Sequence, residues 1–173
     1  TRGGFARLAT LLANRREARQ RQGPVLVLDA GDYSMGTAFG AAIRKTGGEL
    51  QLLSQMGCDA TTFGNHEFDL GPDGLGQAIS VAAKAGRVPV MLAANTDFSK
   101  HDDTLVDLQR LAKDNVIRRY LVIERGGIRF GIFGVIGKEA ASVAVNAGAI
   151  VFTDPVGTAR EVVRVLRKEE KVD

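Results

Sequence analysis

Two apolar runs of the same build constrain this chain more than any other feature. Val25-Leu26-Val27-Leu28 runs into Asp29-Ala30-Gly31-Asp32, and Ala60-Thr61-Thr62-Phe63 runs into Gly64-Asn65-His66-Glu67-Phe68-Asp69. A short, continuous apolar run bounded by turn residues is how a strand buried on both faces of a parallel sheet reads. Each run ends in glycine and in side chains that make poor core but can bind metal or move protons. Open α/β folds place their sites where strands leave the sheet. Neighbouring strands lie about 4.8 Å apart, so two such ends can share one site.

The rest of the chain alternates in the same way. Residues 5–21 read as a helix, with Phe5, Leu8, Ala9 and Leu12 at i, i+3, i+4 and i+7, stopped by Gly23-Pro24. Helices are expected over 37–44 and 48–56, the second with Leu50, Leu53 and Met56 on its apolar side. Gly71-Pro72-Asp73-Gly74 reads as a turn, with Asp73 capping a helix over about 74–85 that buries Leu75, Ile79 and Ala82. Val88 to Ala93 is a third buried strand, with Asn95 just beyond its end. A helix is expected around 105–112. Val116–Glu124 and Ile128–Val135 flank Arg125-Gly126-Gly127 as a hairpin. Residues 137–152 carry no assignable pattern. Asp154-Pro155 opens a last helix with Ala159, Val162, Val163 and Leu166 as its stripe.

This order implies an α/β fold, a layered sheet with helices on both faces, incomplete at both ends. A chain that opens and closes on helices leaves sheet edges unpaired, so residues 1–173 are expected to be the front part of a larger protein. With 45% hydrophobic and 25% charged residues the composition is that of an ordinary globular domain. No apolar run approaches the roughly 18 residues that span a bilayer. The arginines concentrated in 15–21 read as a solvated helix face. The single cysteine, Cys58, excludes an intrachain disulfide and reads as packing.

Taken one by one, the polar residues have plain readings. Asp32 alone would be a turn residue, Asn65 could hold a positive-φ turn, and His66 could be a satisfied polar group. Asp29 reads as a loop anchor and His101 as part of a solvated loop. Asn95 could face the site or merely end a strand.

Taken together, Gly31-Asp32 and Gly64-Asn65-His66-Glu67 resemble two signature blocks of the calcineurin-like metallophosphoesterases. The longer Gly64–Asp69 form, the Gly3-to-Ala9 opening and Thr153-Asp154-Pro155 resemble the 5′-nucleotidase / UDP-sugar hydrolase branch, over roughly residues 3–173. The resemblance implies two divalent metal ions, such as Mn or Zn, with Asp32 as the bridging carboxylate and Asn65 as a neutral oxygen donor. It implies that His66 stands beside the scissile phosphate as a non-ligand and that Asp69 orients its imidazole; Glu67 is expected to be structural. The implied activity is a metal-dependent phosphohydrolase acting on 5′-nucleotides or nucleotide sugars, through a metal-activated water. The implied partner is a small nucleotide or phosphoester rather than a nucleic acid, in a periplasmic or secreted location. The Asp-x-His block, a downstream histidine and the Gly-His-x-His block of that family have no counterpart in this chain, nor does its C-terminal nucleotide-binding domain. Two alternatives therefore stand: a non-catalytic binding domain of the same fold, or a hydrolase of cyclic nucleotides or another small phosphoester or sulfur ester.

Overall fold

The structure, a computed structural model, describes residues 3–34 and 42–173. Its centre is a parallel sheet in which β1 (Ala60–Thr62) pairs with β2 (Val90–Leu92), and β2 pairs with β4 (Ile117–Arg118). The expected strand over Val25–Leu28 joins the outer flank of β1 by a single parallel bridge, Leu28 opposite Ala60. Asp29 N donates to Ala60 O and Asp59 N to Val27 O, which keeps the register parallel. Because all these strands run the same way, Asp29, Phe63 and Ala93 leave the sheet at one end.

The expectation that Val25–Leu28 is buried on both faces does not hold. Leu28 is 51% exposed and the other three residues are half-buried. Among the described residues this segment is flanked by a strand on one side only, and α1 (Phe5–Arg19) covers it poorly, having no buried residue. Ala9 and Leu12 touch the core, whereas Phe5 and Leu8 remain exposed. The Arg-rich half of α1 is solvated except at Arg16. Its guanidinium donates to Met56 O and Gly57 O at 3.1 Å, where α3 (Gly48–Gln55) ends and its last carbonyls lack helical partners.

The expected helix over 37–44 falls outside the described residues up to position 41; α2 (Ile43–Thr46) follows, then α3, which buries Leu50, Leu53 and Met56 as its spacing requires. Gly71-Pro72-Asp73-Gly74 is not a turn before a helix but the first turn of α4 (Gly71–Ala85). Proline fits there because a first-turn amide has no intrahelical partner anyway. Asp73 consequently lies in that first turn rather than at the cap. Leu75, Ile79 and Ala82 of α4 pack against the core, next to α5 (Val106–Lys113).

Val116–Glu124 divides at Arg119. Ile117–Arg118 joins the sheet as β4, while β5 (Tyr120–Arg125) turns away to pair antiparallel with β6 (Ile128–Phe133). Gly126 and Gly127 both have positive φ, 62° and 77°, the demand of a tight two-residue hairpin turn. The unassigned 137–152 stretch contains α6 (Lys138–Val143) and β7 (Val151–Phe152), which pairs antiparallel with β3 (Thr96–Asp97). Asn95 is buried and does not face a site. Its Nδ2 donates to Ile136 O and Thr153 O, and its Oδ1 accepts from Ile136 N, closing three strand ends together. In α7 (Pro155–Lys168) Asp154 caps the helix by accepting from Gly157 N at 2.7 Å. The buried stripe of α7 is Thr158, Val162 and Leu166; Val163 is 44% exposed, one step off the face that meets Ala94.

One carboxylate ties the hairpin to the sheet. Asp59 Oδ1 accepts from Arg125 Nη2 at 2.7 Å, and its Oδ2 accepts from Arg125 Nη1 at 3.1 Å and Val27 N at 2.9 Å. Arg125 Nη1 also donates to Val25 O. Asp59→Ala leaves a guanidinium and an amide without their acceptor. The expected loss is about 2–4 kcal/mol at neutral pH, the lower part reflecting the partial exposure of Arg125. Burial opposes the Asp59 charge, but hydrogen bonds from Arg125 and Val27 and the Arg125 charge outweigh it and hold the carboxyl below its usual value. A depressed folded pKa contributes stability that is present above about pH 4 and lost as pH falls through the folded value. Thermal melts from pH 7 to pH 2 should therefore show a shallower acid decline in Asp59→Ala than in wild type.

Candidate active site

The two polar loops meet at the end of the sheet because glycine lets their backbones approach. A Cβ on Gly31 would lie 2.4 Å from Gly64 N and 2.9 Å from Phe63 C; one on Gly64 would lie 2.1 Å from Asp32 Oδ1. Gly31 also has φ 91°, a region that side chains rarely adopt. Gly31→Ala adds backbone strain to a collision with backbone that cannot rotate away. It should cost about 3 kcal/mol or more, read as a drop in denaturant midpoint at constant slope.

Asp29 anchors the first loop, as its position implies: its Oδ2 accepts from Thr61 Oγ1 at 2.5 Å and from Gly31 N at 3.1 Å. Asp32 follows in the left-handed region, φ 58°, which costs a non-glycine residue about 1–2 kcal/mol and persists only where its surroundings impose it. Its side chain is exposed, and Oδ1 accepts from His66 N at 3.1 Å. Tyr33, the next residue, packs against the core and pins the loop from below.

The second loop continues from β1 into a single 3-10 turn, His66–Phe68. Asn65 has φ −77°, so it does not hold a positive-φ turn. Its carbonyl accepts from Phe68 N. Phe68 is fully buried, edge-on to Phe63 and Phe152 with ring centroids 5.9 and 5.3 Å away, which fixes the turn to the core. His66 Nδ1 lies 2.8 Å from Asp69 Oδ2. The hydrogen bond to Asp69 raises the imidazole pKa; desolvation opposes it, and the charges of Asp69, Asp32 and Glu67 add to the rise. Asp69 is held in turn by Asn146 Nδ2, which donates to its carbonyl at 3.0 Å.

Glu67 is buried, and both of its oxygens are used. Oε2 accepts from Asp32 N at 2.8 Å and Gly64 N at 2.7 Å; Oε1 accepts from Ser34 N at 3.1 Å and Ser34 Oγ at 3.0 Å. Burial raises its pKa, against the lowering effect of those four hydrogen bonds. The sequence marked Glu67 as structural but not Ser34 as its partner. The available signal was a glutamate enclosed between His66 and Phe68 with no lysine or arginine nearby, which must find its donors among backbone amides.

The structure thus joins Asp32, Asn65, His66 and Asp69 at one place. His101 lies in an exposed loop, and Cys58 is buried, its thiol pushed up to about 11 by desolvation and the neighbouring Asp29 charge. Among the described residues no group of three or more His, Cys, Asp or Glu side chains is placed to hold a metal ion. Asp32 Oδ1 accepts from the backbone amide of the residue that follows Asn65, and the Asn65 side-chain amide has no hydrogen-bond partner among the described residues. Among the described residues, too, no helix is long and apolar enough to cross a membrane.

No protein-family model matches the chain. It is 30% identical to the trifunctional nucleotide phosphoesterase YfkN of Bacillus subtilis, over 91% of this chain and 12% of that protein. The solved structure of that protein, described as a calcineurin-like phosphoesterase, superposes with a TM-score of 0.68. A snake venom 5′-nucleotidase from Gloydius brevicauda is 30% identical over 89% of this chain and 24% of its own length. The 5′-nucleotidase precursor of Thermus thermophilus is 29% identical, with a TM-score of 0.69 over 97% of this chain and 30% of that one. The chain therefore spans less than a third of the YfkN protein, the venom enzyme and the Thermus thermophilus precursor, and half of the solved YfkN chain. It is a partial domain of the calcineurin-like phosphoesterase fold, and its sequence is similar to 5′-nucleotidases and a nucleotide phosphoesterase.

Proposed function

We propose that the protein containing this domain is a metal-dependent phosphohydrolase that releases phosphate from 5′-nucleotides or hydrolyses nucleotide sugars. The observation that carries this reading is the convergence of Asp32, Asn65 and the His66–Asp69 pair at neighbouring parallel strand ends. The donor set fits divalent cations: a carboxylate with one oxygen uncommitted among the described residues and a neutral amide oxygen are hard ligands. In this reading Asp32 and Asn65 are two of the ligands of a dinuclear centre. When bound, such ions neutralise charge on the phosphoryl oxygens and acidify water.

The remaining roles belong to this chain's own side chains. Asp69 holds His66 through Nδ1, which leaves Nε2 to face the leaving-group oxygen and give it a proton. Asp69→Asn keeps the shape but removes the charge that favours imidazolium. Turnover of a nucleoside monophosphate should fall about 10–100-fold, part of the 10²–10⁴ typical of general acid help. An ester with a good leaving group, such as p-nitrophenyl phosphate, needs less protonation and should lose less. Equal losses on both would make Asp69 a support for the loop only.

The direct test is hydrolysis by the full-length protein, with Mn²⁺ and after chelation, read as phosphate from AMP and p-nitrophenyl phosphate and as UMP with glucose 1-phosphate from UDP-glucose. Metal-restored hydrolysis of a nucleotide substrate is expected; none on any of the three, with or without metal, contradicts the reading. The likeness to a venom enzyme supports a secreted or periplasmic location.

A further inference from the structure

Glu67 does more than fill a loop. We infer that its carboxylate is the positioning group that sets the spacing between the Asp32 carboxylate and the Asn65 amide. The inference rests on the reading of those two residues as metal donors.

Glu67 receives four hydrogen bonds from three residues, and they come from both loops: Asp32 N and both donors of Ser34 from one, Gly64 N from the other. The residues it joins are 33 to 35 positions apart on the first side and three apart on the second. A single carboxylate thus stands between the amide of the residue before Asn65 and the amide of Asp32 itself. The Ser34 hydroxyl also lies 3.0 Å from His66 O, so the same brace reaches the histidine backbone. Asp32 keeps its left-handed backbone where its amide is captured by Glu67 and its Oδ1 by His66 N.

The chemistry of the acceptor matters. Three of the partners are backbone amides that can only donate, the Ser34 hydroxyl has one proton to share between Glu67 Oε1 and His66 O, and a carboxylate offers only acceptor positions. An amide of the same shape must turn its NH₂ toward either the Asp32 and Gly64 amides or the Ser34 pair. Either orientation sets donor against donor in a buried place, and the loops must part. Partners that orient metal ligands from behind typically cost 10–100-fold in metal affinity or activity when removed.

The test uses the full-length protein, with Mn²⁺ as the probe. Glu67→Gln should weaken Mn²⁺ binding by about 10–100-fold in calorimetry. It should lower kcat on p-nitrophenyl phosphate by a similar factor, with KM changed by less than about threefold, because the substrate's own contacts are not removed. In the metal-free protein, hydrogen exchange at the Asp32 and Gly64 amides should accelerate while that at Met91 and Leu92 in β2 stays as in wild type. Ser34→Ala removes one of the four bonds and should give a smaller loss of Mn²⁺ affinity, about 2–10-fold; it decides the matter if Glu67→Gln does not fold. Wild-type Mn²⁺ binding with Glu67→Gln, or failing that Ser34→Ala, unchanged in affinity and exchange overturns the positioning role alone. Wild-type protein that binds no Mn²⁺ overturns the reading of Asp32 and Asn65, and the positioning role with it.

Discussion

Asp32→Ala should lower phosphoester turnover by about 10³-fold or more, and the bound divalent ions should be lost with it. Asp32 is exposed at the end of the sheet, and among the described residues the one hydrogen bond of its side chain is accepted from His66 N. If it were merely a turn residue, its removal would cost one hydrogen bond, about 1 kcal/mol, and leave chemistry alone. As a donor to a cation centre it would instead contribute several kcal/mol of transition-state stabilisation, and each 1.36 kcal/mol is tenfold in rate. Asp32→Asn separates the two causes. It keeps an oxygen for His66 N and loses the charge, so it should retain the fold and lose most of the rate.

His66→Ala should lose about 10²–10⁴-fold in turnover while retaining its metal. The ring sits at the surface with 32% of its side chain exposed, and its one described side-chain partner is Asp69. Little packing goes with it, so the melting temperature should barely change. The loss should be larger for a nucleoside monophosphate than for p-nitrophenyl phosphate, in the same sense as for Asp69→Asn. The double variant His66→Ala/Asp69→Asn should be scarcely worse than His66→Ala, because Asp69 acts through the ring it holds.

The two loops were legible in the sequence because each combines an apolar run with glycine and ligand-type side chains, a pattern that core packing does not produce. The hairpin was legible too, since Gly126-Gly127 can satisfy the positive φ of a tight turn without strain. Other features depend on neighbours that the local pattern does not name. Val25–Leu28 has the composition of a central strand, yet whether its second face is covered depends on α1, whose stripe, among the described residues, meets the core at Ala9 and Leu12. Gly71-Pro72-Asp73-Gly74 has turn chemistry, but proline and aspartate are equally at home in a helix's first turn. Asn95 stands at a strand end like Asn65, and the difference lies far along the chain, in Ile136 and Thr153. Three of the four donors at Glu67 are backbone amides, which leave no trace in residue type.

The central claim is that Asp32 carries metal while its hydrogen-bonded neighbour His66 does not. Metal content per chain, measured by atomic emission on full-length wild type, Asp32→Ala and His66→Ala after identical loading with Mn²⁺ and desalting, tests it most directly. The account predicts the wild-type complement in His66→Ala and a depleted centre in Asp32→Ala. A His66→Ala protein stripped of an ion, or an Asp32→Ala protein that keeps its full complement, would contradict it.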